Sequence, residues 1–70
     1  MNKTIYTING SILRKIRESK NISRKKISED IYVTEETIRR IEKGKNDPRI
    51  STLLPICIYL DIDIKDLLND

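Results

Sequence analysis

Apolar residues recur along this chain in short groups at helical spacing. Leu13 and Ile16 lie three apart with Ile12 beside them, Ile27 and Ile31 lie four apart, and Ile38 and Ile41 lie three apart. Residues three or four apart share one face of an α-helix, so each pair marks a helix with one inward side. A denser run follows: Leu53, Leu54, Ile56, Cys57, Ile58 and Leu60. A helix apolar nearly all round is a buried one, which predicts a central fourth helix. Ile64, Leu67 and Leu68 predict a last short helix facing inward. The pattern is all-α, compact and undivided.

Polar punctuation sets the limits of these helices. Asn9 or Ser11 caps the first, which runs to about Ser19, and Lys20-Asn21 breaks it. Ser23 caps the second. Asp30 to Val33 forms a turn, and Thr34 caps the third, with Glu35 and Glu36 suited to the positive end of its dipole. Gly44 ends that helix, because glycine takes the left-handed conformation beyond a C-terminus. Asn46-Asp47-Pro48 reads as a loop. Ser51 is the expected cap of the fourth helix, which puts Pro55 in its first turn; deeper in a helix, proline costs about 3 kcal/mol. Asp63 caps the last. Residues 1–9 are set apart as an N-terminal arm before a domain of 10–70; Ile5 and Ile8 either pack back on the domain or belong to a disordered stretch.

A chain of 70 residues buries only about 60% of its unfolded surface, so it needs a staple or efficient helix packing. With one cysteine and no histidine it has no intrachain disulfide, and neither a structural zinc site nor another cofactor is expected. Cys57 sits in the apolar run and reads as a core residue, and nothing suggests an enzyme. No apolar run approaches the ~18 residues of a membrane span, and the chain is expected to be cytoplasmic. The net charge of +3 says little, but its distribution says more. Seven basic residues stand between Arg14 and Lys26 against Glu18 alone, whereas residues 61–70 hold four aspartates and one lysine. One end suits a polyanion and the other does not. Arg24, Lys25 and Lys26 crowd the first turn of the second helix, against its dipole; phosphate oxygens there would give them a purpose, and screening by salt would make them harmless.

At these spacings the chain resembles the Cro/repressor-type helix-turn-helix domains of phage repressors and XRE-type bacterial regulators. Leu13, Ile16-Arg17, Ile22-Ser23, Ile27, Val33-Thr34, Ile38, Ile41-Glu42, Gly44-Lys45, Pro48, Leu53-Leu54, Leu60, Ile62-Asp63 and Leu67 carry the resemblance over residues 10–68. It implies a five-helix, lambda-repressor-like fold, with the second and third helices forming the DNA-binding unit. It also implies that Arg17 pairs with Glu42. That agrees with the helical wheel, where Glu42 shares the inner face with Ile38 and Ile41 and an unpaired carboxylate would be costly. Three positions depart from the family pattern: Arg24 where glutamine is frequent, Ser28 where alanine is usual, and Tyr32 where glycine with positive φ is usual. Either Tyr32 is strained by about 1–3 kcal/mol or the turn takes another shape.

The expected function is sequence-specific DNA binding by a transcriptional regulator, or by the N-terminal domain of a longer one, with the recognition helix at 35–43 in the major groove. Arg24 and Lys25 are expected at phosphates on one flank, and Lys45, Asn46 and Arg49 on the other. Thr34, the cap, and Glu35, Glu36, Thr37, Arg39 and Arg40 are expected at or facing the groove. Arg39 or Arg40 suits guanine O6 and N7, and Glu36 suits cytosine N4 unless it pairs internally with Arg40 at i, i+4. The partners expected are double-stranded DNA and a second copy, through the last helix or the arm, with no membrane. The alternative reading is a protein–protein module on the same fold, such as an antitoxin or anti-regulator.

Overall fold

A computed structural model describes residues 7–45 and 48–69. They form four α-helices, α1 (Gly10–Ser19), α2 (Arg24–Asp30), α3 (Glu35–Glu42) and α4 (Ile50–Leu60), followed by a 3-10 turn at Ile64–Leu67. Two short strands, β1 (Thr7–Ile8) and β2 (Leu68–Asn69), pair antiparallel with Ile8 opposite Leu68. Asn9 N–H extends the clasp by donating to the Leu67 carbonyl at 2.7 Å. Residues 7–9 are thus part of the fold, with Ile8 packed on the core; the expectations for residues 1–6, Ile5 included, lie outside the described residues.

The expected stops are chemical and local. The Ser23 hydroxyl accepts from Lys26 N–H at 3.0 Å, and the Thr34 hydroxyl accepts from Thr37 N–H at 3.1 Å. Each fills one of the bonds that a helix start leaves open. At the C-terminal ends, Asn21, Gly44 and Asp61 take left-handed φ of 57°, 69° and 57°. After α3 the Lys45 N–H reaches back to the Arg40 carbonyl and the Gly44 N–H to the Ile41 carbonyl, the paired bonds that close a helix through a left-handed residue. The same pair closes α1 on Arg17 and Glu18, and α4 on Cys57 and Ile58.

Four expectations need correction. α1 has Asn9 as its cap residue, but the Asn9 side chain makes no cap bond; it accepts instead from the Ser11 hydroxyl at 2.7 Å. α4 starts at Ile50 with Arg49 as its cap residue, not Ser51, because Thr52 and Leu53 N–H both bond the Arg49 carbonyl. Pro55 therefore lies inside the helix rather than in its first turn. Burying Leu53, Ile56, Cys57 and Leu60 offsets the missing bond, at about 1.5–3 kcal/mol per large aliphatic. The fifth helix is one 3-10 turn rather than an α-helix, since Leu68 is already drawn into the strand pair. Asp63 still caps it, accepting from Lys65 N–H at 3.2 Å.

The core joins every element: Leu13 of α1, Ile27 of α2, Ile38 and Ile41 of α3, the four α4 residues, and Leu67. All are at most 2% exposed, and Cys57 is a free thiol among them. Burial raises the Cys57 pKa, with the nearby Asp63 charge adding to the effect.

Candidate nucleic-acid interface

α2, a four-residue turn and α3 form the unit that the charge pattern singled out. The turn solves the Tyr32 problem by taking another shape. Ile31 is extended, with φ −135°, and Val33 N–H donates to the Ile31 carbonyl at 2.9 Å. Tyr32 is not among the left-handed residues, so it carries no such strain. Its ring is fully exposed, while Ile31 and Val33 on either side pack against the core.

α3 is two-sided. Ile38, Ile41 and Glu42 are buried; Glu35, Glu36, Arg40 and Lys43 are exposed, with Thr37 and Arg39 half-buried between them. On the outer face Glu36 holds both arginines. Arg39 donates to its two oxygens at 2.8 and 2.5 Å, and Arg40 Nε donates at 3.2 Å. The bonds and charge of Arg39, followed by those of Arg40, pull the Glu36 pKa down to about 2, and the Arg39 pKa rises in return. The Thr34 hydroxyl donates to the Thr37 hydroxyl at 2.8 Å, so these two side chains hold each other.

The inner end of α3 is anchored by charge. Arg17 grips Glu42 through Nε at 2.6 Å and Nη2 at 3.1 Å, while its Nη1 donates to the Ile22 carbonyl at 2.8 Å. Both residues are buried, and the bonds to Glu42 raise the Arg17 pKa despite its burial. Arg24 joins them, its Nε donating to the second Glu42 oxygen at 3.0 Å. One carboxylate therefore ties α1, α2 and α3 together. The resemblance implied the Arg17 bond; it did not imply that Arg24, expected at phosphate, spends one donor on the same carboxylate.

Of the remaining site residues, Lys25 and Lys45 are exposed, and neither has an ion-pair partner among the described residues. Lys26 instead pairs with Asp30 at 3.3 Å. Asp30 also accepts from the Tyr59 hydroxyl, which is the main cause of its lowered pKa. Asn46 lies outside the described residues. Sequence reasoning missed Gly10. A Cβ there would stand 2.0 Å from the Ile41 carbonyl oxygen and 2.7 Å from that of Glu42. Only a glycine lets α1 start against the end of α3, and its place beside Asn9 and Ser11 signalled nothing beyond a turn.

A capped pair of short helices, the second with a buried inner face and a charged outer one, defines a helix-turn-helix domain. The helix-turn-helix family of the XRE type matches residues 13–67, and the chain belongs to it. A solved structure of the transcriptional regulator VanUg (form II) superposes with a TM-score of 0.70 at 22% identity, covering 99% of this chain and 91% of that one. At that identity the likeness is one of fold. No curated protein sequence matches. Among the described residues no helix is long and apolar enough to cross a membrane.

Proposed function

We propose that this chain is a sequence-specific DNA-binding transcriptional regulator, or the DNA-binding part of one, which lays residues 35–43 in the major groove and acts in the cytoplasm. The observation that carries the reading is the two-sidedness of α3. Its inner side is locked to α1 and α2 through Glu42, while Glu36, Arg39 and Arg40 stand outward as a preassembled charged cluster. Such a cluster is held in place before DNA arrives, which lowers the ordering cost of binding. Lys25 and the uncommitted Nη groups of Arg24 serve phosphates at the start of α2, and Lys45 and Asn46 serve those beyond α3. Arg39 stays on Glu36 through two bonds, Arg40 gives up its one longer bond for guanine O6 and N7, and Glu36 disfavours sites that offer only acceptors. Two copies bind paired half-sites about one helical turn apart.

Fluorescence anisotropy tests this with short duplexes, first random and then selected. Binding should appear at low salt and fall steeply as salt rises. Lys25→Ala should weaken binding to all duplexes and reduce the salt slope by about one. Arg40→Ala should relax preference at one base pair, worth about 1–3 kcal/mol, while leaving random-duplex affinity nearly unchanged. An equal loss on every sequence would remove base reading from Arg40. No binding at low salt would overturn the function itself.

A further inference from the structure

α4 does not bury all of its apolar surface. Ile50, Leu54 and Ile58 are 61%, 43% and 72% exposed. They stand four apart and make one continuous stripe up the helix. Their exposed area is of the order of a few hundred Å², the size of the largest apolar patch on a typical monomer, and such patches are often binding surfaces. Arg49 is exposed at the start of α4 and Asp61 is exposed at its end. Each has the wrong sign for the helix dipole at its own end. Neither has an ion-pair partner among the described residues.

The stripe is complementary to itself. Ile50 and Ile58 are equally spaced about Leu54. A second α4 laid antiparallel across the first sets Leu54 against Leu54 and Ile50 against Ile58. The same crossing brings the basic end of each helix to the acidic end of the other, with Arg49 near Asp61 on both sides. A two-fold interface needs this self-match, whereas an unrelated partner does not. We propose that the α4 stripe is where two copies of this chain pair, antiparallel, with Leu54 on the two-fold axis. The inference deepens the reading above, in which two copies occupy paired half-sites. It places the contact on α4 rather than on the last turn or the N-terminal arm. The stripe begins five positions after Lys45, so the pairing helix leaves from the loop that flanks the recognition helix.

The patch is well below the ~800 Å² per partner of a standard interface, so pairing in solution is weak and DNA strengthens it by holding two copies together. Sedimentation equilibrium without DNA tests the contact directly. The wild-type chain should show a monomer–dimer equilibrium with Kd of roughly 0.1–1 mM. Leu54→Glu, which sets two carboxylates face to face at a surface position, should weaken it about tenfold or more while the circular dichroism spectrum stays native. Arg49→Asp and Asp61→Arg should each weaken pairing, and the double swap should restore it. A chain monomeric up to about 1 mM leaves the stripe to a partner of another sequence and overturns the proposal. So does a dimer indifferent to Leu54→Glu. The assay contains no DNA, so pairing without duplex binding would uphold this surface while removing the proposed function, and duplex binding by a strict monomer would do the reverse.

Discussion

The two glycines act by different physics. At Gly10 the obstacle to a side chain is backbone, the Ile41 and Glu42 carbonyls, which no rotamer change can move. Gly10→Ala must push α1 away from α3, and overpacking of this kind costs about 1–3 kcal/mol or more. At Gly44 no atom of the described residues lies within 4 Å of such a Cβ, and the φ of +69° is what resists a side chain. Gly44→Ala should cost about 1–2 kcal/mol. Urea unfolding separates the two through asparagine, which tolerates left-handed φ. Gly44→Asn should recover most of the loss, and Gly10→Asn should recover none. Equal recovery at both would mean that the α1–α3 approach is not what Gly10 serves. Gly44 was legible because a helix stop is local. Gly10 was not, because its partners lie more than thirty positions away and no neighbouring residue announces them.

At the scale of the helix, α3 carries a charge cluster whose response to pH follows from its geometry. Glu36 titrates at about 2 in the folded chain against an ordinary 4.5. A folded value below the unfolded one means that the contact adds stability above about pH 4.5 and loses it as pH falls toward 2. Carboxyl-carbon NMR should find the Glu36 midpoint near 2. Arg39→Ala should raise it more than Arg40→Ala, since Arg39 supplies two of the three bonds. A native midpoint near the ordinary 4.5 would dissolve the cluster. The i, i+4 spacing of Glu36 and Arg40 made their pairing readable in advance. The stronger Arg39 bond was not foreseen. α4 shows the same limit: its apolar run marked it as central, but the run alone did not separate the four buried residues from the exposed stripe.

Across the whole molecule, Glu42 is the joint. It holds Arg17 of α1 and Arg24 of α2 from the end of α3, with its own side chain fully buried. Glu42→Ala would leave Arg17 charged and buried without its partner, a loss of about 3–5 kcal/mol. At about 0.05–0.15 kcal/mol per residue a domain of 70 residues has roughly 3.5–10 kcal/mol in total, so that variant should lose a third or more of its stability. Arg24→Ala keeps the Arg17 pair intact and should cost clearly less. Thermal and urea unfolding of both variants measure the difference. Comparable losses would show that Arg24, not Arg17, bears the joint. The clasp between β1 and β2 ties the segment before α1 to the segment after the 3-10 turn, and it also cuts the expected fifth helix to one turn.

The sequence by itself determined where the helices stop and which side of α1, α2 and α3 faces inward, because caps, left-handed residues and apolar spacing act within a few residues. It also carried the family, through many weak anchors at consistent distances. Tertiary structure alone decided that Arg24 shares the Glu42 carboxylate, that Gly10 meets the end of α3, and that residues 7–8 and 68–69 pair as strands. Each of these is a contact between segments remote in the chain. Its energy depends on how the helices cross, and no window of neighbouring residues contains that information.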